Sequence, residues 1–232
     1  AGYYMWPGPY GEWGSKKNLV ASLDQSLKRM CLDYVDIFYH HRPDAATPLE
    51  ETVEALESIV RSGKALYVGI SNYNAEDTLR MVNLLASRGV HCLIHQMKLS
   101  LLDRTNMPVL DSLEAQGVGG IAFSPLAQGL LTGKYLNGIP EGSRADGNSV
   151  FLTRKTITPE VLGVVQRLDV LARQRGQEIA QMALAWVLHQ KQMTSVIIGA
   201  SSLEQIDDNI RVLDNLSFSP AELAALDSVC TV

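Results

Sequence analysis

The chain has 232 residues, 46% hydrophobic and 19% charged, with a formal net charge of −5. This size and composition fit one α/β domain with ample core. The acidic balance, without a basic stripe, excludes a general nucleic-acid binder. The longest apolar runs are strand-sized, well below the roughly 20 residues needed to span a membrane.

Cys31, Cys92 and Cys230 are odd in number and far apart, without a CxxC pair, and read as reduced thiols of a cytoplasmic protein. The chain opens on "AGYYMWPGPYGEWG", which is no signal peptide and reads as the middle of a loop. Ser15 is placed to cap a helix carrying Leu19, Leu23, Leu27 and Met30 at helical spacing. The next segments read in turn as strand "YVDIFYH", helix "LEETVEALESIVRSG", strand "ALYVGIS" and helix "AEDTLRMVNLLASRG". Strand "HCLIHQ", helix "PVLDSLEAQG" and strand "GGIAFS" come next, then a long Gly- and Pro-rich loop from about Pro125 to Thr158. Two helices, the strand "SVIIG", the helix "LEQIDDNIRVLDNL" and a closing helix "SPAELAALDSV" complete the chain. Apolar strands alternating with helices predict a parallel sheet covered by helices, within one domain over residues 1–232. Either a doubly wound sheet or part of a (β/α)8 barrel satisfies that pattern.

In both folds the chemistry sits at the carboxyl ends of the strands. Those ends read His41, then Ser71 and Asn72, then Gln96, then Phe123 and Ser124, then Ser201. Any one of them is explained by a turn or cap. Five in succession predict a ligand across one face, because inward polar groups need partners.

The junction "SVIIGASSLEQIDDNI" poses the same choice locally. Ser201 and Glu204 match a capping box, while Gln205, Asp208 and Asn209 fall on the helical face of Ser201. A helix N-terminus also suits an anion. Together with the other strand ends, this predicts a phosphate-bearing ligand. The long loop adds Lys134 and Arg144 as cations for it. "GVGGIA" precedes a strand and so fails the dinucleotide-fold context, and His91 and His95 lie on a strand without a third metal ligand. No metal site is predicted. Without a carboxylate pair or nucleophile elbow, a cofactor is expected to carry any reaction.

"DIFYHHRPD", "LYVGISNYN", "IHQ", "IAFSPLAQGLLTGKYLNGIP" and "VIIGASSLEQIDDNI" together resemble the aldo-keto reductases. The branch resembled joins bacterial glyceraldehyde-phosphate reductases with potassium-channel β-subunits. The resemblance implies a (β/α)8 TIM barrel, NADPH as cofactor, and reduction of small aldehydes and ketones such as glyceraldehyde 3-phosphate or methylglyoxal. It implies that His41 orients the carbonyl. Ser71, Asn72 and Gln96 would hold the nicotinamide carboxamide, with Phe123 stacked on its ring. Ser124, Leu126, Gln128 and Lys134 would line the pyrophosphate path. Ser201, Gln205, Asp208 and Asn209 would hold the 2′-phosphate and adenine, helped by Arg144.

The family's catalytic Asp, Tyr and Lys belong to its first three strands. The resemblance implies that these three βα units are missing here, and that this chain alone lacks the general acid. Relatives also read Gln-Pro-Ser-Tyr-Asn where this chain has "QMKLS" at Gln96–Ser100. With those units absent, apolar edges at Val35–Tyr39 and Ser195–Ile198 would invite a second copy, which allows a homo-oligomer. The expected partner is a small carbonyl substrate, with no nucleic acid and no membrane. The alternative is a cofactor-binding regulatory subunit with little turnover, and His41 favours the enzyme because the channel branch carries Asn there. The aromatic loop "YYMWPGPYGEW" resembles a substrate-pocket wall.

Overall fold

The Ser15 hydroxyl accepts the backbone N–H of Asn18 at 3.3 Å and so starts a helix where the sequence predicts one. A computed structural model describes residues 14–147 and 149–230. In chain order its elements are α1 (Lys16–Met30), β1 (Val35–His40), α2 (Leu49–Arg61), β2 (Ala65–Ser71), α3 (Ala75–Ser87), β3 (Cys92–Lys98), α4 (Met107–Glu114) and β4 (Gly119–Phe123). After a connection containing 3-10 turns at Ala127–Thr132 and Arg154–Thr156 come α5 (Pro159–Gln174), α6 (Ile179–His189), β5 (Met193–Ile197), α7 (Leu203–Ile210) and α8 (Pro220–Cys230). The strands form one sheet in the order β1-β2-β3-β4-β5. The pairings of β1 with β2 and of β2 with β3 are parallel, in register Tyr39↔Gly69 and Ser71↔Gln96. The α/β class with a parallel sheet is as the sequence predicts.

The chain divides into two compact units. One runs through Met97 and includes Asn106–Ile121; the other takes Lys98–Thr105 and everything from Ala122 onward. In the first, Leu19, Leu23 and Leu27 of α1 and Val53, Leu56 and Ile59 of α2 are buried with Val68 and Ile70 of β2 and Met81 and Leu85 of α3. Burying each such side chain contributes about 1.5–3 kcal/mol. Gly69 is required by a close approach. A Cβ there would lie 2.7 Å from Cε1 of Tyr39, beside a register shift between β2 and β3. Gly69→Ala is therefore expected to destabilise the protein by about 1–3 kcal/mol through overpacking. Urea denaturation checks this, and an unchanged midpoint would contradict it.

In the second unit α6 is apolar nearly all round, and Met182–Val187 are all buried, as expected for a helix enclosed by its neighbours. Leu184, Ala185 and Val212 pack with Leu126, Val196, Ile198, Leu216 and Phe218. The long connection is better organised than its composition predicts. Tyr135, Ala145 and Leu152 form a buried cluster with Leu130, Ile139, Ile157 and Leu162, so the segment carries its own small core.

Candidate functional site

The polar strand ends of the first unit are tied to one another. β1 ends on His40, and His41 is the first residue beyond it. Asn72 follows β2 with φ +61, a left-handed conformation that Asn tolerates better than most residues. That turn lets its Nδ2 donate to the His41 carbonyl at 2.8 Å and to the Ser71 hydroxyl at 2.9 Å. Its backbone N–H donates to the Gln96 carbonyl at 3.1 Å. His41, Ser71, Asn72 and Gln96 are thus brought together, and one strand boundary is corrected. β3 continues to Lys98, so Gln96 lies inside the strand, and Lys98 pairs with Asp103 at 2.9 Å.

Burial holds the pKa of His41 below the ordinary histidine value, and the charge of Arg42 adds to this. The imidazole is therefore neutral at pH 7, with one N–H to donate. Asp44 closes the following turn, accepting from Gly14 N at 3.2 Å, Ala46 N at 2.9 Å and Thr47 Oγ1 at 2.6 Å. Burial pushes its carboxyl up, but these hydrogen bonds outweigh burial and hold it low.

Beneath this set lies a buried polar string that the sequence reading does not pick out. His40 Nδ1 is 2.6 Å from the Tyr73 hydroxyl, the Tyr73 ring meets His95 edge-on, and His95 Nδ1 is 3.4 Å from Thr78 Oγ1. His95 is thus a core group. Among the described residues no cluster of three or more His, Cys, Asp or Glu has metal-binding geometry.

In the second unit Phe123 ends β4, half-buried, and Ser124 follows with φ +54. The Ser124 hydroxyl accepts from Gln128 Nε2 at 2.6 Å, and Gln128 Oε1 accepts from Arg144 Nη1 at 2.5 Å. Ser124, Ala127 and Gln128 are all non-glycine residues with positive φ. Strain concentrated in one short turn is typical of a site whose geometry matters. Lys134 folds against Gly129, where a Cβ would come within 3.2 Å of its Nζ. Leu126 packs into the core beside Leu184 and Val212, so of the four residues assigned to this path it is the one that serves packing.

Three expectations for the next junction are corrected. The fifth strand is Met193–Ile197, so Ser201 lies beyond its end. The helix cap is Ser202, whose hydroxyl accepts from Gln205 N at 3.3 Å, and the expected Ser201–Glu204 capping box does not form. The helix begins one residue later than that pattern requires. Ser201 instead donates from its N–H (2.9 Å) and its hydroxyl (3.2 Å) to Gln205 Oε1. Asp208 pairs with Arg211 at 3.3 Å, and Asn209 is buried. The first turn of α7 carries Glu204 and no cation, so positive charge for a phosphate here has to come from elsewhere. The aromatic loop "YYMWPGPYGEW" lies outside the described residues.

The sequence profile described as "Aldo/keto reductase family" matches residues 3–230 and so spans both polar sets. The chain belongs to the aldo/keto reductase family. It is 57% identical over 232 residues to the L-glyceraldehyde 3-phosphate reductase of Escherichia coli K12, a match covering 98% of this chain and 67% of that relative. A putative voltage-gated potassium channel subunit beta of Schizosaccharomyces pombe is 34% identical, over 93% of this chain and 64% of the relative. A probable voltage-gated potassium channel subunit beta of Arabidopsis thaliana is 36% identical, over 90% and 65%. This aldo/keto reductase chain therefore spans about two thirds of the length of these relatives. None of its described helices is long and apolar enough to cross a membrane.

Proposed function

We propose that this aldo/keto reductase uses NADPH to reduce small aldehydes and ketones, with glyceraldehyde 3-phosphate and methylglyoxal as representatives of the class. The observation that carries the reading is the neutral imidazole of His41 at a strand exit, where the Asn72 side chain ties down the backbone carbonyl of the same residue. The 57% identity to a glyceraldehyde-phosphate reductase supports it. The regulatory reading has less behind it, since the channel-type relatives are 34% and 36% identical.

The donors within each unit are of the kinds such a cofactor needs. Ser71, Asn72 and Gln96 offer the mixed donors and acceptors that a carboxamide needs, and Phe123 offers a ring face. Ser124, Gln128, Lys134 and Arg144 offer hydroxyl, amide and cationic groups for phosphates, with Ser201 and Gln205 for the 2′-phosphate. When bound, NADPH supplies the hydride. His41 donates its N–H to the carbonyl oxygen, a bond that strengthens as negative charge grows there. Tyr73 is not the proton donor, because burial raises the pKa of its phenol, the reverse of what a general acid near neutral pH requires. The proposed acid is a tyrosine other than Tyr73.

Cofactor preference tests the proposal directly. Each charge-assisted contact to a 2′-phosphate is worth roughly 1.5–3 kcal/mol. The full-length protein is expected to bind NADPH more tightly than NADH by fluorescence. Gln205→Ala with Lys134→Ala should reduce that preference at least about tenfold, near 1.4 kcal/mol. Equal affinity for both cofactors in the unmodified protein would sink the assignment.

A further inference from the structure

We infer that His40 and Tyr73 act as a positioning pair for His41, setting the angle at which its imidazole meets the carbonyl. This rests on the functional reading above and adds to it two residues that do not touch substrate. The parallel ladder of β1 with β2 has its last pair at His40↔Ile70, so the backbone of His41 lies past the sheet pairing. Two cross-links then hold the dipeptide His40-His41 to the dipeptide Asn72-Tyr73. One is the amide of Asn72 on the His41 carbonyl, at 2.8 Å. The other is the 2.6 Å bond between His40 and Tyr73, whose side chains are almost wholly buried, with relative exposures of 1% and 2%.

Burial favours neutral His40 and keeps Tyr73 protonated. The bond therefore joins an uncharged imidazole at Nδ1 to an un-ionised phenol, and the other ring nitrogen of His40 is Nε2. That Nε2 is buried without a hydrogen-bond partner and lies against Gly14, where a Cβ would come within 3.1 Å. The imidazole thus makes one strong bond, and it points to Tyr73.

The phenol has little freedom to swing, because its ring is tilted 57° to His40 on one side and stands edge-on to His95 on the other, at centroid distances of 5.8 and 6.5 Å. Asn72 sits between Ser71 and Tyr73 in a left-handed conformation, so anchoring Tyr73 also holds the turn from which Asn72 reaches His41. A general polar core contact would stabilise the fold without this link to the backbone that carries His41.

Tyr73→Phe keeps the ring and deletes the hydroxyl, and is measured in the full-length protein with NADPH and glyceraldehyde 3-phosphate. We expect kcat to fall about tenfold, less than the roughly hundredfold cost of a 1 Å misplacement, with KM and NADPH affinity within about twofold. In a His41→Ala background the same substitution should leave kcat unchanged within about twofold, because its effect passes through His41. His40→Gln, which keeps a hydrogen-bonding group for Tyr73, should retain more kcat than His40→Leu. Because a Gln amide can donate to or accept from Tyr73, this pair of variants also serves as the test if Tyr73→Phe fails to fold. An equal loss in both backgrounds, or a loss that only follows melting temperature, would overturn the pairing. Absence of carbonyl turnover in the unmodified protein would instead refute the functional reading. The pair is then decided by NMR, since an unmoved His41 ring signal in Tyr73→Phe overturns it and a displaced one supports it.

Discussion

Replacing His41 by Ala in the full-length protein should lower kcat by about two orders of magnitude while leaving NADPH affinity within about twofold. The size follows from the role. A single preorganised donor to a developing oxyanion is worth about a hundred- to a thousandfold in rate. His41 makes no demand on substrate charge, because burial keeps its imidazole neutral above its lowered pKa. Cofactor affinity is spared because the groups proposed to hold NADPH are other side chains. Asn72 bonds the backbone carbonyl of residue 41, which Ala retains. Steady-state kinetics with glyceraldehyde 3-phosphate, alongside fluorescence titration of NADPH, separates the two effects. A variant that loses NADPH binding yet keeps its turnover would show that His41 belongs to the cofactor site.

What the sequence made legible, and what it hid, follows from the range of the interactions involved. α1 was readable because Leu19, Leu23 and Leu27 repeat at helical spacing behind a serine that caps, and all of that is local. β2 was readable to the residue because Gly63 in a left-handed turn precedes it and Asn72 in another follows it. The cap of α7 misled for an equally local reason, although its first residue, Leu203, was read correctly. Ser201 and Ser202 each stand three residues before a Glu or Gln, so the pattern fits two registers, and the structure takes the second. β3 ran past Gln96 to Lys98, whose charge pairs with Asp103, so the apolar run alone understated the strand.

Of the candidate site, the strand-end residues were found because fold class dictates where ligands lie. The string of His40, Tyr73, His95 and Thr78 was not found. His40 and Tyr73 are separated by 33 positions, and nothing periodic in the chain announces a hydrogen bond of that range. Tyr73 was visible only as part of the turn "SNYN", and His95 only as half of a histidine pair with no third ligand. The cluster of Tyr135, Ala145 and Leu152 escaped in the same way, because its members follow neither the helix nor the strand period.

Those hidden histidines lead to the second large expected effect, a loss of stability in mild acid. His40 and His95 are almost wholly buried, and burial is the main cause that lowers each pKa from 6.5 to about 4. Around His40, Asp44 opposes the shift and His41 adds to it, while the faces toward Tyr73 and Thr78 carry only neutral groups. Between pH 6.5 and pH 4 the unfolded chain binds protons at both positions and the folded protein does not. Stability therefore falls as pH drops through this window and levels off below about pH 4. At 1.36 kcal/mol per pKa unit each histidine accounts for roughly 3 kcal/mol. Together they rival the 5–15 kcal/mol, approximately, that holds a typical domain folded. Asp44 does not obscure the effect. Its pKa lies below an ordinary 3.8, so its contribution is lost only at pH values beneath the histidine window. Urea midpoints measured in half-unit steps from pH 7.5 to pH 4 should fall steeply below about pH 6. In the double variant His40→Gln, His95→Gln the fall should be clearly shallower over the same range, with His41, whose pKa is also lowered, leaving a residual slope, even if the variant is weaker at pH 7. An equally steep fall in that variant would place the acid sensitivity in other groups, and a flat curve in the unmodified protein would mean that neither histidine is kept neutral by burial.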